Sequence, residues 1–340
     1  MGNTIRKQSF PACFVELPTT TERRRAAFYL AAEEYIADHF PEDNYLFTWQ
    51  LNPTAVMGRN QVAHQEINLD FCQSEGIDVI RRKSGGGCIF ADRNNIMISL
   101  ITGGGPVEPL FAEYAETVAK GLCRLGAEVM VSGRNDIVLK DGRKVCGNAF
   151  YHKAQRNIVH GTMLYDTDMR LMSGALCPDP LKLKSSGVTS VRSRIGLLKE
   201  QLTCSVEELR KELRRILCNR SIKLDESQVE NIEKIEAGYY EPAYLFGQTS
   251  HTGIVCSGRI ERCGRLNLNF SLKGTLIESV QLTGDFLHEG NAEAEFNDTF
   301  QGIAFTPGCI AEAIGRKHPE RCIRHLEAED LIRLITEAIR

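Results

Sequence analysis

The stretch RRKSGGGCIF, residues 81–90, decides how the rest of the chain is read. Three consecutive glycines leave their backbone amides uncovered. Glycine tolerates the positive-φ turns that aim successive N–H groups at one point, a concavity suited to an anion. Upstream, GIDVIR at residues 76–81 reads as a short β-branched strand, and residues 88–90 read as another. The loop therefore joins strand to strand. A Walker loop runs from strand into helix and carries Gly-Lys-Ser/Thr, which this stretch lacks. Arg81, Arg82 and Lys83 set three cations beside the glycines. A tight turn next to a solvated basic patch is the other reading of the same letters.

Around this loop the pattern alternates strands and helices without a regular βαβ rhythm. Thr19-x-x-Glu22 forms a capping box, and Ala27, Leu30, Ala31, Tyr35 and Ile36 continue a helical period to about His39. Strands are expected at 45–50 and 55–57, separated by Asn52-Pro53. The polar cluster Gly58-Arg59-Asn60-Gln61 that follows is either a plain turn or one from which Arg59 reaches toward a ligand. Residues 64–75 fit one helix, 96–101 a strand and 109–125 a helix. Strands at 127–131 and 137–139 lead to the hairpin turn Lys140-Asp141-Gly142, and the chain returns through 143–146 and, past Gly147, 148–151. A further strand covers 160–165. This is an α+β domain with a mixed, largely antiparallel sheet.

Residues 181–198 read as a long Lys-, Ser- and Arg-rich loop. Ser205-x-x-Glu208 caps a helix to about Cys218, and 228–237 is another. Near residue 248 the pattern changes to a three-strand meander at 253–260, 265–272 and 275–283, followed by helices at 308–314 and 328–339. Two domains are expected, 1–247 and 248–340, the second a small α+β unit.

Composition narrows the function classes. The 340 residues are 42% hydrophobic and 25% charged, ordinary for a globular protein, and the net charge of −3 argues against a large basic face for nucleic acid. No apolar run approaches a membrane span, and MGNTIRKQSF lacks the apolar core of a signal peptide. Gly2 is not followed by Ser or Thr at position 6, which is Arg6, against myristoylation. No two of the twelve cysteines are spaced Cys-x-x-Cys, and most, like Cys72, Cys123 and Cys218, sit in apolar runs. Buried, reduced thiols in a cytoplasmic protein fit this better than disulfides or zinc. The eight histidines show no metal-ligand spacing.

Three more clusters carry chemistry. In the second, Gly133–Asp136 is followed by Gly142–Ala149. Strand alternation sets Lys144 opposite Val145 and puts Cys146 on the same face as Lys144. Lys144 is then either a solvated hairpin lysine or a cation projecting into a cleft. The third is His160-Gly161-Thr162, and the fourth is GVTSVRSR at 187–194.

The segments RRKSGGG, GRNDIVLKDGRKVCGNAF, HGTMLYDTD and GVTSVRSRI, in this order and preceded by YLFTWQLNPTAVMGRNQ, resemble those of the lipoate–protein ligases. The catalytic domain of that family is similar to that of biotin–protein ligases. YLFG at Tyr244 and LTGDF at 282–286 are similar to the small accessory domain of the bacterial members.

The resemblance implies two half-reactions. Lipoate and ATP give lipoyl-AMP and pyrophosphate, and the acyl group then passes to a lysine of a lipoyl carrier domain. Such carriers are the E2 subunits of 2-oxoacid dehydrogenases and the glycine-cleavage H protein. Matching positions for ATP and lipoyl-AMP are Arg82, Ser84, Gly85, Gly86, Gly87, Cys88, Ile89, Phe90, Asn135, Asp136, Lys144, Gly147, Ala149, His160, Gly161 and Thr162. Lys144 matches the catalytic lysine that contacts the acyl carboxyl and phosphate oxygens. Asp136 matches the metal side, where Mg²⁺ bridges phosphate oxygens. His160 matches a histidine flanking the acyl tunnel, which takes lipoate or octanoate. A cytoplasmic monomer is expected, without nucleic-acid or membrane partners.

Two positions depart from the bacterial pattern, Ala91 for histidine and Tyr151 for a polar residue. The rival expectation is a lipoyl or octanoyl transferase of the same fold, using Cys146 as a thiolate activated by Lys144. A non-catalytic module that holds lipoate is the third.

Overall fold

The computed structural model describes residues 11–18, 24–132, 136–153, 155–177, 194–247 and 253–339. The capping box at Thr19–Glu22, Asn135, most of the 181–198 loop and the expected domain boundary lie outside the described residues.

In chain order the strands are β1 Ala12–Glu16, β2 Tyr45–Trp49, β3 Thr54–Met57, β4 Asp78–Arg81, β5 Ile89–Ala91, β6 Asn95–Gly103, β7 Val129–Ser132, β8 Asp136–Leu139, β9 Lys144–Lys153, β10 Arg156–Leu164, β11 Cys218–Lys223, β12 Ile254–Ile260, β13 Gly264–Lys273 and β14 Leu276–Gly284. Eight of them form one sheet in the order β11-β1-β2-β6-β10-β9-β8-β7. Its pairs from β2 through to β7 are antiparallel, whereas β1 runs parallel to both β2 and β11. The expected mixed, largely antiparallel sheet is present. A small second sheet, β4-β3-β5, sets β4 and β5 on either side of β3, so the Gly-rich loop does join strand to strand.

The central strand β6 is buried over all nine residues and serves both faces. Ile96, Ile98 and Leu100 enter a core with the helices Val107–Arg124 and Val206–Leu217. Met97 and Ile101 enter another core with the helices Ala26–His39 and Glu226–Ala237. Period-2 alternation thus feeds two apolar layers from one strand.

The meander β12-β13-β14 and the helices Ala292–Phe300, Pro307–Lys317 and Ala328–Thr336 build a core of their own, led by Phe270, Phe286, Phe296 and Phe300. Leu287, next in sequence to Phe286, is buried instead in the core of the eight-stranded sheet with Phe150 and Ile98.

Several elements differ from expectation. The parallel pair β1–β11 escapes a reading by pattern, because CNRSIK is an exposed edge strand with little apolar alternation. The single helix expected at 64–75 is two, Ala63–Glu66 and Leu69–Ser74. Ile67 leaves the helix to bridge Leu176, and the Asn68 side chain caps the second by accepting from Phe71 N–H. The helix Ala292–Phe300 is an addition. No cysteine is in a disulfide, and Cys123 is exposed rather than buried. Among the described residues no helix is long and apolar enough to cross a membrane.

Candidate active site

A cavity of about 1050 Å³ opens between the small sheet, the ends of β8–β10 and the β12–β13 turn. Leu30, Trp49, Val56 and Met97 make part of it apolar. Lys144, Asp136 and the 86–90 stretch line another part, and Arg259, Arg262 and Arg265 reach it from the accessory domain. The size suits a drug-sized acyl-nucleotide.

Register assembles the polar wall. Across β9 and β10, Gly147 faces Thr162, Asn148 faces Gly161 and Ala149 faces His160, while Asp136 of β8 faces Gly147 on the other side. Two glycines make room by lacking a Cβ. One on Gly161 would lie 2.1 Å from Asn148 Oδ1, and one on Gly147 would lie 2.3 Å from both Cε and Nζ of Lys144. The Lys144 side chain therefore lies across Gly147, where its ammonium pairs with Asp136 at 2.7 Å. Both are about one-quarter exposed, so the pair is open to the cavity.

The expectation that Cys146 shares a face with Lys144 is overturned. β8 and β9 slip by one residue between Ile137 and Val138, so that Cys146 pairs with Ile137 but Lys144, not Val145, pairs with Val138. The bulge breaks alternation. Val145 and Cys146 both turn into the core at 0% exposure, while Lys144 lines the cavity. Burial pushes the Cys146 thiol up to about 12, against the lowering field of Lys144. A buried thiol of that kind is no thiolate nucleophile.

The three cations of the opening motif are committed to the scaffold. Arg81 donates to the carbonyls of Tyr244, Leu245, Gly58, Arg59 and Gln61. Arg82 donates to the carbonyls of Val56, Gly85 and Gly87 and, through Nε, to Ser84 Oγ. Burial pushes the Arg82 guanidinium down to about 10. Lys83 pairs with the buried Glu34 at 2.6 Å. Arg82 thus borders the cavity as the clamp that shapes the loop.

The glycine amides are not all uncovered. Gly86, at φ +87°, donates its N–H to the Phe286 carbonyl of the accessory domain at 3.0 Å. Gly85 is packed so closely there that a Cβ would lie 2.5 Å from the same oxygen. Gly284 N–H reciprocates to the Asn60 carbonyl at 2.8 Å, and the Arg324 guanidinium stacks 5.2 Å from the Phe150 ring centroid. The accessory domain is seated on the loop.

Of the expected site residues, Arg82, Gly86, Gly87, Cys88, Ile89, Phe90, Asp136, Lys144, Gly147, Ala149, His160, Gly161 and Thr162 line the cavity. Ser84 and Gly85 do not: Ser84 is wholly buried against His160 and Arg82, and Gly85 faces Phe286. Arg59 is exposed, and its backbone N–H holds the Ser84 carbonyl. Ala91 ends β5 with its side chain in the core and does not line the cavity, and Tyr151 lies against His160 with ring centroids 6.1 Å apart. Sequence reasoning missed the apolar liners Leu30, Trp49, Val56 and Met97, and the arginines of the β12–β13 turn. The one legible trace was Glu33-Glu34, two carboxylates inside an otherwise apolar helix face, both of which are buried.

Comparison with known proteins agrees with this geometry. The lipoyl protein ligase A/B catalytic domain family matches residues 25–217, and the bacterial lipoate protein ligase C-terminus family matches 253–335. The lipoate-protein ligase LplJ of Bacillus subtilis is 32% identical over 318 residues, covering 90% of this chain and 95% of LplJ. Among solved structures, P. falciparum LipL1 in complex with lipoate superposes with a TM-score of 0.73 at 19% identity, over 97% of this chain and 99% of that one. A lipoate-protein ligase A bound with ATP gives 0.58 at 20% identity, over 70% of this chain and 99% of that one. The chain belongs to the lipoyl protein ligase A/B family.

Proposed function

We propose that the protein is an ATP-dependent lipoate–protein ligase that forms lipoyl-AMP and transfers the lipoyl group to a lysine of a lipoyl carrier domain. One observation carries the reading: a single cavity joins an apolar wall to a lysine held over a glycine, beside a Gly-rich turn. An acyl chain takes the apolar side, with its carboxylate toward Lys144 and the nucleotide phosphates beside it. Adenylation brings two anions together, and a fixed ammonium lowers the cost of the charge that builds up between them. No side-chain nucleophile is required, in keeping with the enclosed Cys146.

Among the described residues no group of three or more His, Cys, Asp or Glu side chains is set to hold a metal. Asp136 borders the cavity beside Lys144. One carboxylate suits Mg²⁺ carried on phosphate oxygens rather than in a protein cage. Asp136 would hold that ion, which shields the phosphate charges when bound. Asp136 also holds Lys144 in place, whatever the ion does.

The seated accessory domain occupies the Gly86 amide, so phosphate reaches that amide only when Phe286 moves away. Domain movement also reconciles two needs: shelter for the labile adenylate and later access for the carrier lysine. E2 and H-protein carriers, lipoate or octanoate as acid, and a cytoplasmic monomer complete the reading. Pyrophosphate release from ATP and lipoate, without any carrier, tests it. A ligase releases pyrophosphate; a transferase or a binding module does not.

A further inference from the structure

A continuous hydrogen-bonded chain runs behind the acyl wall. Trp49 Nε1–H donates to Ser99 Oγ at 2.9 Å, and Ser99 donates to Glu33 Oε1 at 2.5 Å. Both Glu33 oxygens lie 3.1 Å from His160 Nδ1. His160 Nε2 lies 2.6 Å from Ser84 Oγ, which also accepts from Arg82 Nε at 2.9 Å. Glu33, Ser84 and Ser99 are all 0% exposed, and Glu33 does not reach the cavity.

The donors and acceptors fix the protons. An indole N–H can only donate, so Ser99 accepts there and gives its own proton to Glu33. A carboxylate accepts only, so His160 carries its proton on Nδ1. The Arg82 Nε–H can only donate to Ser84, whose hydroxyl proton then goes to His160 Nε2. This Ser-His-Glu order looks like a nucleophilic triad. It is not used as one here, since Ser84 Oγ is enclosed and held by Arg82.

Both imidazole nitrogens are therefore engaged within the protein, although His160 lines the cavity. The part of the ring that faces the cavity is carbon. We infer that Glu33 is a positioning residue for the acyl site. It holds His160 as the Nδ1–H tautomer with both nitrogens turned away, making a histidine into an apolar wall for the acyl chain. Glu33→Leu, of similar size, removes both acceptors. Neither Ser99 nor the His160 Nδ1–H then has the carboxylate oxygen that holds it. The ring is released to offer an N–H to the acyl site, where an unpaired polar group disfavours an alkyl chain.

The inference rests on the cavity being an acyl site, and its first readout needs no substrate. ¹⁵N NMR of histidine-labelled protein, with His160 assigned by its loss in His160→Asn, should show the neutral Nδ1–H tautomer in the wild type. In Glu33→Leu that signal should shift toward Nε2–H. The KM for octanoate and for lipoate should rise about tenfold, with the KM for ATP within twofold because Arg82 still holds Ser84. An Nε2–H tautomer in the wild type overturns the inference without needing any variant to fold. So does an octanoate KM within twofold of wild type in a folded Glu33→Leu protein. A correct tautomer in a protein that never activates an acyl acid would instead refute the ligase reading.

Discussion

Adding a single methyl group at Gly147 should disable the chemistry and spare the fold. The Cβ of Gly147→Ala would stand 2.3 Å from Lys144 Cε and Nζ, whereas an ordinary contact is 3.4 Å or more. The ammonium must therefore move by about 1 Å, away from the position in which it meets Asp136 at 2.7 Å. Gly147 is not among the positive-φ glycines, so alanine fits its backbone. The obstructing atoms are the far end of a flexible chain, which can swing aside. The stability change should stay within about 1 kcal/mol, with unfolding temperature moving by only a few degrees. A displacement of about 1 Å at a reacting centre costs about a hundredfold in rate. Carrier-free pyrophosphate release in Gly147→Ala should fall by that order, with the KM for lipoate little changed. A rate within threefold of wild type in a folded Gly147→Ala protein would refute the placement of Lys144 as the catalytic cation.

Other outcomes follow from the same geometry. Gly85→Ala sets a Cβ against the backbone carbonyl of Phe286, which cannot swing aside, so it should loosen the seat of the accessory domain. Limited proteolysis should then cut between the two units faster than in wild type, and an unchanged cleavage rate would contradict the contact. Native Cys146 should resist iodoacetamide, and Cys146→Ser should retain lipoylation with stability within about 1 kcal/mol of wild type, because Asn148 Oδ1, 3.7 Å from the thiol, offers the new hydroxyl an acceptor. A trapped acyl-thioester on Cys146 would contradict this. Burial, with help from Arg59, pushes His288 down to about 4. The unfolded chain takes up this proton near pH 6.5 and the folded protein does not. Stability should therefore fall as pH drops from about 6.5 to about 4, by about 2 kcal/mol between pH 7 and pH 5. Urea titrations at the two pH values, with His288→Gln as the flat control, measure it.

The fold was legible where local chemistry decides it. β-branched runs flanking RRKSGGG made strand–loop–strand readable, and the Asp-Gly turn marked the β8–β9 hairpin. Lys144 was legible as a hairpin cation, but its orientation was not. A one-residue bulge, which depends on how β8 and β9 pair, decides that Val145 and Cys146 both face inward. Strict alternation had placed Cys146 beside the lysine. The destinations of the long cations were equally hidden. Lys83 finds Glu34 and Arg81 finds the Tyr244 and Leu245 carbonyls, partners set by tertiary packing rather than by spacing. The same holds for the Gly86 amide, whose acceptor is the Phe286 carbonyl, 200 residues further along the chain. The apolar side of the cavity was invisible because Leu30, Trp49, Val56 and Met97 come from four elements and look like ordinary core residues.

The central claim is that this chain makes its own acyl-adenylate with Lys144 as the decisive cation. Native mass spectrometry after incubation with ATP, Mg²⁺ and lipoate, with no carrier present, reads it directly. The account predicts a wild-type species heavier by lipoyl-AMP, and its absence in a folded Lys144→Ala protein. Lipoyl-AMP bound equally to both proteins, or to neither while a parallel incubation with carrier yields lipoylated carrier, would contradict it.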